Sequence, residues 1–331
     1  MLNLKFSKVL DKNTINQIYE EIEIDISNFC NLECPLCHRN NFGEESYKLN
    51  SKNLNAEDFK RIFEVFPNLK KVFLGFMVSE PTLNPNFLDI VKYIKSKNKS
   101  IVLSTNGNTF ATDSDRSNQF WKNLMDHLDS TDKIIWPIDG FGEDIYQLYR
   151  INGKLEKVIK NIKRATALNP EVDHTIQTII FKHNQEDINK NYEKFKEDHE
   201  EVFHQPNWSL IDCCGDCATL SDEVQPVWDK NQWIKIKTNP PRSPKGFECE
   251  SLNNKIVFVD HELRIGFCPT QLTNSVITKE VPTIYEDIKT INKYCYDTYT
   301  SKHQNKICQF NCGPLSKLFK GKAGLDEIPT K

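Results

Sequence analysis

Apolar positions between residues 22 and 212 follow two alternating periodicities. Residues 22–26 read IEIDI, with an apolar side chain at every second position, which predicts a β-strand. Apolar residues of the next segment, 59–66, recur at the i, i+3, i+4, i+7 spacing of a helix face. Similar apolar runs, most of them followed by a helical stripe, predict strands at residues 71–76, 101–104, 133–138, 175–181 and 208–211.

Alternation of strands and amphipathic helices is typical of a parallel sheet whose strands are joined by crossover helices. Six such units are too few for a closed eight-stranded barrel. We therefore expect an α/β fold built on an open, partial (βα)6 barrel that is similar to a TIM barrel.

The pattern changes after Cys217, where four prolines interrupt the segment from residue 226 to residue 244. Residues 255–267 then predict a β-hairpin that turns near His261 and Glu262. We expect this hairpin to belong to a second, smaller unit. The predicted organisation is an N-terminal extension at residues 1–21, the partial barrel at residues 22–220 and a small C-terminal domain at residues 221–331.

Charge excludes some partners. The formal net charge is −3, from 43 Lys and Arg against 46 Asp and Glu, so no strong field favours nucleic acid or an anionic membrane. The first residues lack the apolar run of a signal peptide, and no later stretch has the length of a membrane span. We expect a cytoplasmic protein that binds neither nucleic acid nor membrane.

Eleven cysteines therefore indicate metal or redox chemistry, since the cytoplasm keeps thiols reduced. Cys30, Cys34 and Cys37 are spaced CxxxCxxC directly after the first predicted strand. A structural zinc site requires four ligands. A [4Fe-4S] cluster held by three thiolates keeps one iron open, so this spacing favours an iron-sulfur cluster that binds a substrate or cofactor.

Residues 26–37, ISNFCNLECPLC, resemble the signature of the radical S-adenosylmethionine (radical SAM) superfamily. Residues 75–85, GFMVSEPTLNP, are similar to that family's Gly-Gly-Glu-Pro-like segment, which meets the methionine amino group, with Ser79 in place of a glycine. The resemblance implies two cofactors, a [4Fe-4S] cluster and S-adenosylmethionine. It also implies that Glu80 is a cofactor-binding residue.

Further cofactor-binding residues follow from the resemblance. Ser104 and Asn106 lie in STNG, which resembles the family's polar strand end near the cofactor ribose. Asp139 lies in WPIDG, which is similar to the Ser-x-Asp-Gly segment with Pro137 in place of the serine, and Arg150 follows it. The planar guanidinium of Arg150 suits a cofactor carboxylate. The structural alternative for Asp139 and Arg150 is a turn and a surface ion pair.

Cysteines flank the predicted C-terminal hairpin. The pattern resembles the twitch form of the SPASM domain, in which four cysteines bind a second, auxiliary [4Fe-4S] cluster. The predicted auxiliary ligands are Cys249, Cys268, Cys308 and Cys312. A zinc site on the same thiolates is the alternative.

A third group of cysteines consists of Cys213, Cys214 and Cys217. Cys217 is a candidate catalytic residue that donates a hydrogen atom to a substrate radical. The alternative is that it is a buried structural thiol.

As a whole, the resemblance implies an enzyme that reductively cleaves S-adenosylmethionine to a 5′-deoxyadenosyl radical, which takes hydrogen from an unactivated carbon. A peptide or protein side chain is the expected substrate, with oxidation, cross-linking or epimerisation as the outcome. A reducing partner such as flavodoxin or ferredoxin is also implied. Two alternatives stay open: a small-molecule dehydrogenase or epimerase acting on a sugar or alcohol, and a non-catalytic iron-sulfur electron carrier.

Overall fold

The computed structural model describes residues 11–35, 37, 39, 52–75, 77–110, 115–181, 183–199, 208–212, 255–266 and 281–300. Within them, one sheet has the strand order β6-β5-β4-β3-β2-β1-β7-β8. Every pair from β6 through β1 to β7 is parallel, and only β7 and β8 are antiparallel. The strands are β1 Glu21–Ile24, β2 Lys71–Leu74, β3 Ser100–Ser104, β4 Lys133–Pro137, β5 Asp173–Ile180, β6 Trp208–Asp212, β7 Ile256–Val259 and β8 Ile265–Gly266.

Helices connect successive parallel strands, which confirms the α/β architecture with a mostly parallel sheet. They are α1 Ala56–Val65, α2 Phe87–Ser96, α3 Asp115–Met125, α4 Glu143–Tyr149, α5 Leu155–Leu168, α6 Gln185–Asp198 and α7 Ile288–Thr300. No helix among the described residues has the length and apolar character needed to cross a bilayer.

The core lies between the sheet and these helices. Ile22 and Ile24 of β1 are buried with Phe59 and Ile62 of α1, as the two periodicities predict. Helix α1 begins at a capping box, in which the Asn55 side chain accepts the N–H groups of residues 57 and 58 and the Asp58 carboxylate accepts the Asn55 N–H.

The predicted C-terminal hairpin is present, but it joins the barrel sheet. Strand β7 pairs in parallel with β1, in the register Glu21↔Ile256 to Ile24↔Val259, and β8 returns antiparallel beside it. A segment beyond residue 220 thus extends the sheet past the six predicted strands. The apolar pattern of the sequence is sufficient to predict the short strands of the hairpin. It does not specify which other strand of the sheet each of them pairs with.

Candidate active site

Three cysteines lie on the loop that leaves the carboxyl end of β1, the edge where ligand sites of parallel α/β folds collect. Cys34 is buried, Cys30 and Cys37 are half-buried, and none of the three forms a disulfide. The cysteine loop is closed against the segment after α4, because the Glu33 N–H donates to the Ile151 carbonyl at 3.2 Å. The thiols pack in an apolar cluster formed by Leu32, Tyr149, Ile179 and Phe181.

Nitrogen donors point at two of the sulfur atoms. The Leu32 N–H and the Asn106 Nδ2 donate to Cys30 Sγ at 3.4 and 3.6 Å. Arg150 Nη1 donates to Cys34 Sγ at 3.8 Å. Such donors stabilise a thiolate and tune the potential of a bound cluster.

Burial makes the free thiolates costly. It raises the pKa of Cys30 to about 11, with a further rise from the Glu80 carboxylate. Burial also raises the pKa of Cys37 to about 12 and the pKa of Cys34, despite the nearby Arg150. Thiolates at this position therefore require added positive charge, as a bound metal provides.

The thiols fit a multi-iron cluster. Among the described residues, no three His, Cys, Asp or Glu side chains are grouped to hold a single metal ion. A four-iron cluster has a different requirement, since each thiolate binds its own iron. Three cysteine thiols on one loop are packed with apolar side chains, and two of the sulfurs, those of Cys30 and Cys34, receive N–H donors, which suits such a cluster.

Glu80, which follows β2, is 2% exposed and its carboxylate is enclosed by hydrogen-bond donors. Oε1 accepts the Thr105 hydroxyl at 2.6 Å and the Thr82 hydroxyl at 2.6 Å, and Oε2 accepts the Asn106 N–H at 2.6 Å. Burial raises the pKa of Glu80 and the hydrogen bonds oppose that rise. Glu80 therefore joins the loops that follow β2 and β3.

Asn106 connects that junction to the cysteine loop. Its Nδ2 donates to Asn31 Oδ1 at 2.9 Å as well as to Cys30, and Asn31 Nδ2 donates to the Asn108 carbonyl at 3.0 Å. Asn108 in turn donates to the Tyr146 hydroxyl at 3.3 Å. A polar network thus surrounds the Cys30 side of the site.

Asp139 and Arg150 form a buried ion pair beside Cys34. Arg150 Nε lies 2.5 Å from Asp139 Oδ2, and the Ile179 N–H donates to Asp139 Oδ1 at 2.7 Å. The surface-pair alternative is wrong, because the Asp139 side chain is 0% exposed and that of Arg150 is 15% exposed. Ser104 ends β3 half-buried, and its carbonyl packs against Gly75.

Sequence patterns alone missed several groups at this edge. Asp25 follows β1 and is fully buried beneath the segment 77–79. Asn31 and Asn108 complete the polar network. The Tyr149 and Phe181 rings pack together beside the thiols, with their centroids 4.4 Å apart. The signal for these residues is their position, since each lies at or just beyond the end of a strand or helix that reaches this edge.

Other predicted site residues lie outside the described residues. They are the candidate hydrogen donor Cys217, with Cys213 and Cys214, and the auxiliary ligands Cys249, Cys268, Cys308 and Cys312.

A mostly parallel α/β sheet with a three-cysteine loop at the carboxyl end of β1 is consistent with one class of protein. The family model described as the Radical SAM superfamily matches residues 24–195, slightly more than half of the chain. The chain therefore belongs to the radical SAM superfamily, whose members are enzymes that use an iron-sulfur cluster and S-adenosylmethionine.

Individual relatives match parts of the chain. A cofactor-modifying protein of the tungsten-containing aldehyde ferredoxin oxidoreductase from Pyrococcus furiosus is 34% identical over 93 residues, covering 27% of this chain and 24% of the relative. A GTP 3′,8-cyclase from Haemophilus ducreyi is 29% identical over 152 residues, covering 45% of this chain and 42% of the relative. In both cases the matched part is less than half of the relative.

The crystal structure of Streptococcus suis SuiB has a similar fold. It superposes with a TM-score of 0.60 at 12% identity, over 84% of this chain and 66% of that chain. The likeness extends the shared architecture beyond the segment that the family model covers.

Proposed function

We propose that this protein reductively cleaves S-adenosylmethionine and removes a hydrogen atom from an unactivated carbon of a peptide or protein substrate. The observation that carries the proposal is the group of three cysteines on the loop after β1, with Asn106 donating to the Cys30 sulfur and Arg150 donating to the Cys34 sulfur. The outcome depends on the fate of the substrate radical. Loss of an electron would give oxidation, formation of a new bond would give cross-linking, and return of a hydrogen atom would give epimerisation.

Cys30, Cys34 and Cys37 would hold a [4Fe-4S] cluster through their thiolates. Such a cluster, once reduced by the electron donor, would supply the electron that breaks a carbon–sulfur bond of S-adenosylmethionine. Asn106 and Arg150 stabilise the thiolates, and Glu80 fixes the loops around them. Tyr149 and Phe181 exclude water from the thiols.

Arg150 is proposed to bind the cofactor carboxylate. A guanidinium has five N–H donors, so the contacts with Asp139 and Cys34 leave donors for a carboxylate. Asp139 holds the guanidinium in place from a fully buried position. Ser104 and Asn106, at the end of β3, are proposed to bind the ribose.

Support for a peptide substrate comes from SuiB, which has been solved bound to the precursor peptide SuiA and, separately, bound to S-adenosylmethionine. Its fold is shared over 84% of this chain. A flavodoxin or ferredoxin is the proposed electron donor.

A small-molecule substrate is the second candidate. The similarity to GTP 3′,8-cyclases, which is 25–30% identity over 147–161 residues, favours it. Turnover stimulated by GTP, with a new nucleotide product in the mass spectrum, would establish this candidate. Turnover stimulated by a peptide, with a change in the peptide's mass, would establish the first.

Residues 221–331 are proposed to contribute a second [4Fe-4S] cluster on Cys249, Cys268, Cys308 and Cys312. Anaerobic reconstitution would then yield about eight irons per chain, whereas about four irons with stoichiometric zinc would contradict it.

Cys217 is proposed to return a hydrogen atom to the substrate radical. Loss of solvent deuterium incorporation in Cys217→Ala tests that role.

Formation of 5′-deoxyadenosine is the decisive test of the proposal. The reconstituted protein, given dithionite and S-adenosylmethionine without oxygen, is expected to form 5′-deoxyadenosine, measured by liquid chromatography and mass spectrometry. Cys30→Ala, Cys34→Ala and Cys37→Ala are expected to abolish it. Cys295→Ala, which removes a buried thiol of α7, is the matched control and is expected to retain it. A wild-type protein that forms none would leave an electron carrier as the better description.

A further inference from the structure

Asp25 organises the segment that follows β2. Its Oδ1 accepts the backbone N–H groups of three consecutive residues, Met77, Val78 and Ser79, at 3.2, 3.3 and 3.3 Å. The Ser79 hydroxyl donates to the same oxygen at 2.9 Å. The carboxylate is 0% exposed, so these donors replace the water it has lost.

The next residue continues this attachment. The Glu80 N–H donates to the Phe29 carbonyl at 2.7 Å, directly before Cys30. All four N–H groups from residue 77 to residue 80 are therefore held by the chain that leaves β1. The segment cannot rotate its peptide planes without breaking several of these bonds.

Fixing the N–H groups also fixes the carbonyl groups. In a trans peptide the C=O points opposite to the N–H of the following residue. The Met77 and Val78 carbonyls therefore point away from Asp25. The Met77 carbonyl faces the cysteine loop, because the Cys37 thiol donates to it at 3.7 Å.

We propose that Asp25 is a positioning residue that orients the Met77 and Val78 carbonyls to accept hydrogen bonds from the amino group of S-adenosylmethionine bound at the cysteine loop. This inference rests on the proposed function and adds a residue to it. An amino group that binds iron through its lone pair keeps two N–H donors, and backbone carbonyls supply acceptors for them. Asp25 acts on the cofactor through the backbone and does not touch it.

Ser79 contributes two of the hydrogen bonds that Asp25 accepts. Its hydroxyl adds the fourth donor to Asp25, and its N–H is the third of the backbone donors. Ser79→Gly removes the hydroxyl and leaves the backbone contacts, so it weakens the same arrangement by one hydrogen bond. It provides a milder variant that keeps Asp25 itself.

Two ligands distinguish positioning from general damage. Dissociation constants of the cluster-loaded protein are measured anaerobically by calorimetry for S-adenosylmethionine and for its analogue without the α-amino group. Asp25→Asn is expected to weaken S-adenosylmethionine binding on the order of tenfold, because a hydrogen bond to a charged group is lost, while the analogue binds with an unchanged constant. Ser79→Gly is expected to raise the dissociation constant of S-adenosylmethionine by roughly threefold and to leave that of the analogue unchanged.

Asp132→Asn is the matched control. Asp132 is 1% exposed and accepts the N–H groups of Ile101 and Asp129, but it lies beyond the amino ends of β3 and β4, at the opposite edge of the sheet. This variant is expected to bind both ligands as the wild type does. Iron content and the cluster's absorption spectrum are checked first, and Ser79→Gly serves alone if Asp25→Asn does not load iron.

Equal affinities of wild type and Ser79→Gly for S-adenosylmethionine, together with equal affinity of any iron-loaded Asp25→Asn, would overturn the inference and leave the proposed function standing. Parallel losses for both ligands would also overturn it, because they indicate a structural role. Wild-type protein that binds neither ligand would overturn the proposed function itself.

Discussion

Arg150 directs its Nη1 at the sulfur of Cys34, 3.8 Å away, while its Nε stays bound to Asp139. A positive charge this close to a ligand thiolate stabilises the reduced, more negative form of a cluster. Replacing Arg150 with Met is therefore expected to lower the reduction potential by roughly 50 mV. A redox titration followed by electron paramagnetic resonance measures the shift.

Arg150→Lys is the matched variant for this potential. It keeps the charge and loses the planar fork that contacts Asp139 and Cys34 together. Its potential is expected to lie between those of the wild type and Arg150→Met. A potential in Arg150→Met equal to that of the wild type would contradict the electrostatic role of Arg150.

Glu80→Gln tests the junction between the loops after β2 and β3. The amide replaces one acceptor oxygen by a donor nitrogen, which then faces the Asn106 N–H or the Thr105 hydroxyl. The expected loss of unfolding free energy is about 2 to 3 kcal/mol. Thermal unfolding should show a clear fall in Tm. Glu57→Gln, at a carboxylate 81% exposed on α1, is expected to leave Tm unchanged.

Asp25 predicts a pH dependence of stability. Burial raises its pKa from 3.8 to about 6, so the folded protein binds more protons than the unfolded chain between those values and loses stability as pH rises through that window. Asp25→Asn removes this titration. Its unfolding free energy relative to wild type is expected to rise by about 1 kcal/mol from pH 5 to pH 8.

Tm measured across that pH range shows the effect of Asp25. Asp89→Asn, at a side chain 73% exposed, controls for the loss of a surface carboxylate. A difference in Tm between Asp25→Asn and wild type that stays constant with pH would contradict this prediction.

Gly75 permits the close approach of the β2 and β3 ends. Its φ is +90°, and a Cβ there would lie 2.4 Å from the Ser104 carbonyl oxygen and 2.8 Å from Pro81 Cγ. Gly75→Ala is expected to cost about 3 kcal/mol, measured by thermal unfolding. Gly142→Ala, where the added Cβ would lie 2.6 Å from the Asp144 carboxylate at the end of a side chain that can rotate, is expected to cost far less. Equal costs would contradict this packing.

Much of the sheet could be predicted because its strands are coded locally. The runs at residues 71–76, 175–181 and 208–211 fall within a few residues of β2, β5 and β6. Apolar alternation and helical stripes depend on neighbours a few positions away, so the sequence shows them directly. The three cysteines of the β1 loop were visible for the same reason.

Long-range relationships were not visible. Strand β7 pairs with β1 across more than two hundred residues, and nothing in either apolar run specifies that partner. Asp25 continues the polar positions of β1, which suggests exposure, yet it is fully buried because the segment after β2 covers it. Contacts between strand ends depend on sheet register, which one sequence does not reveal.

Cofactor binding at the cysteine loop is tested most directly by electron paramagnetic resonance of the reduced, iron-loaded protein. S-adenosylmethionine is expected to change the signal of the cluster on Cys30, Cys34 and Cys37, because the cofactor would bind at the open iron of that cluster. The change should persist in Cys295→Ala. A signal that stays the same at saturating S-adenosylmethionine would contradict the account.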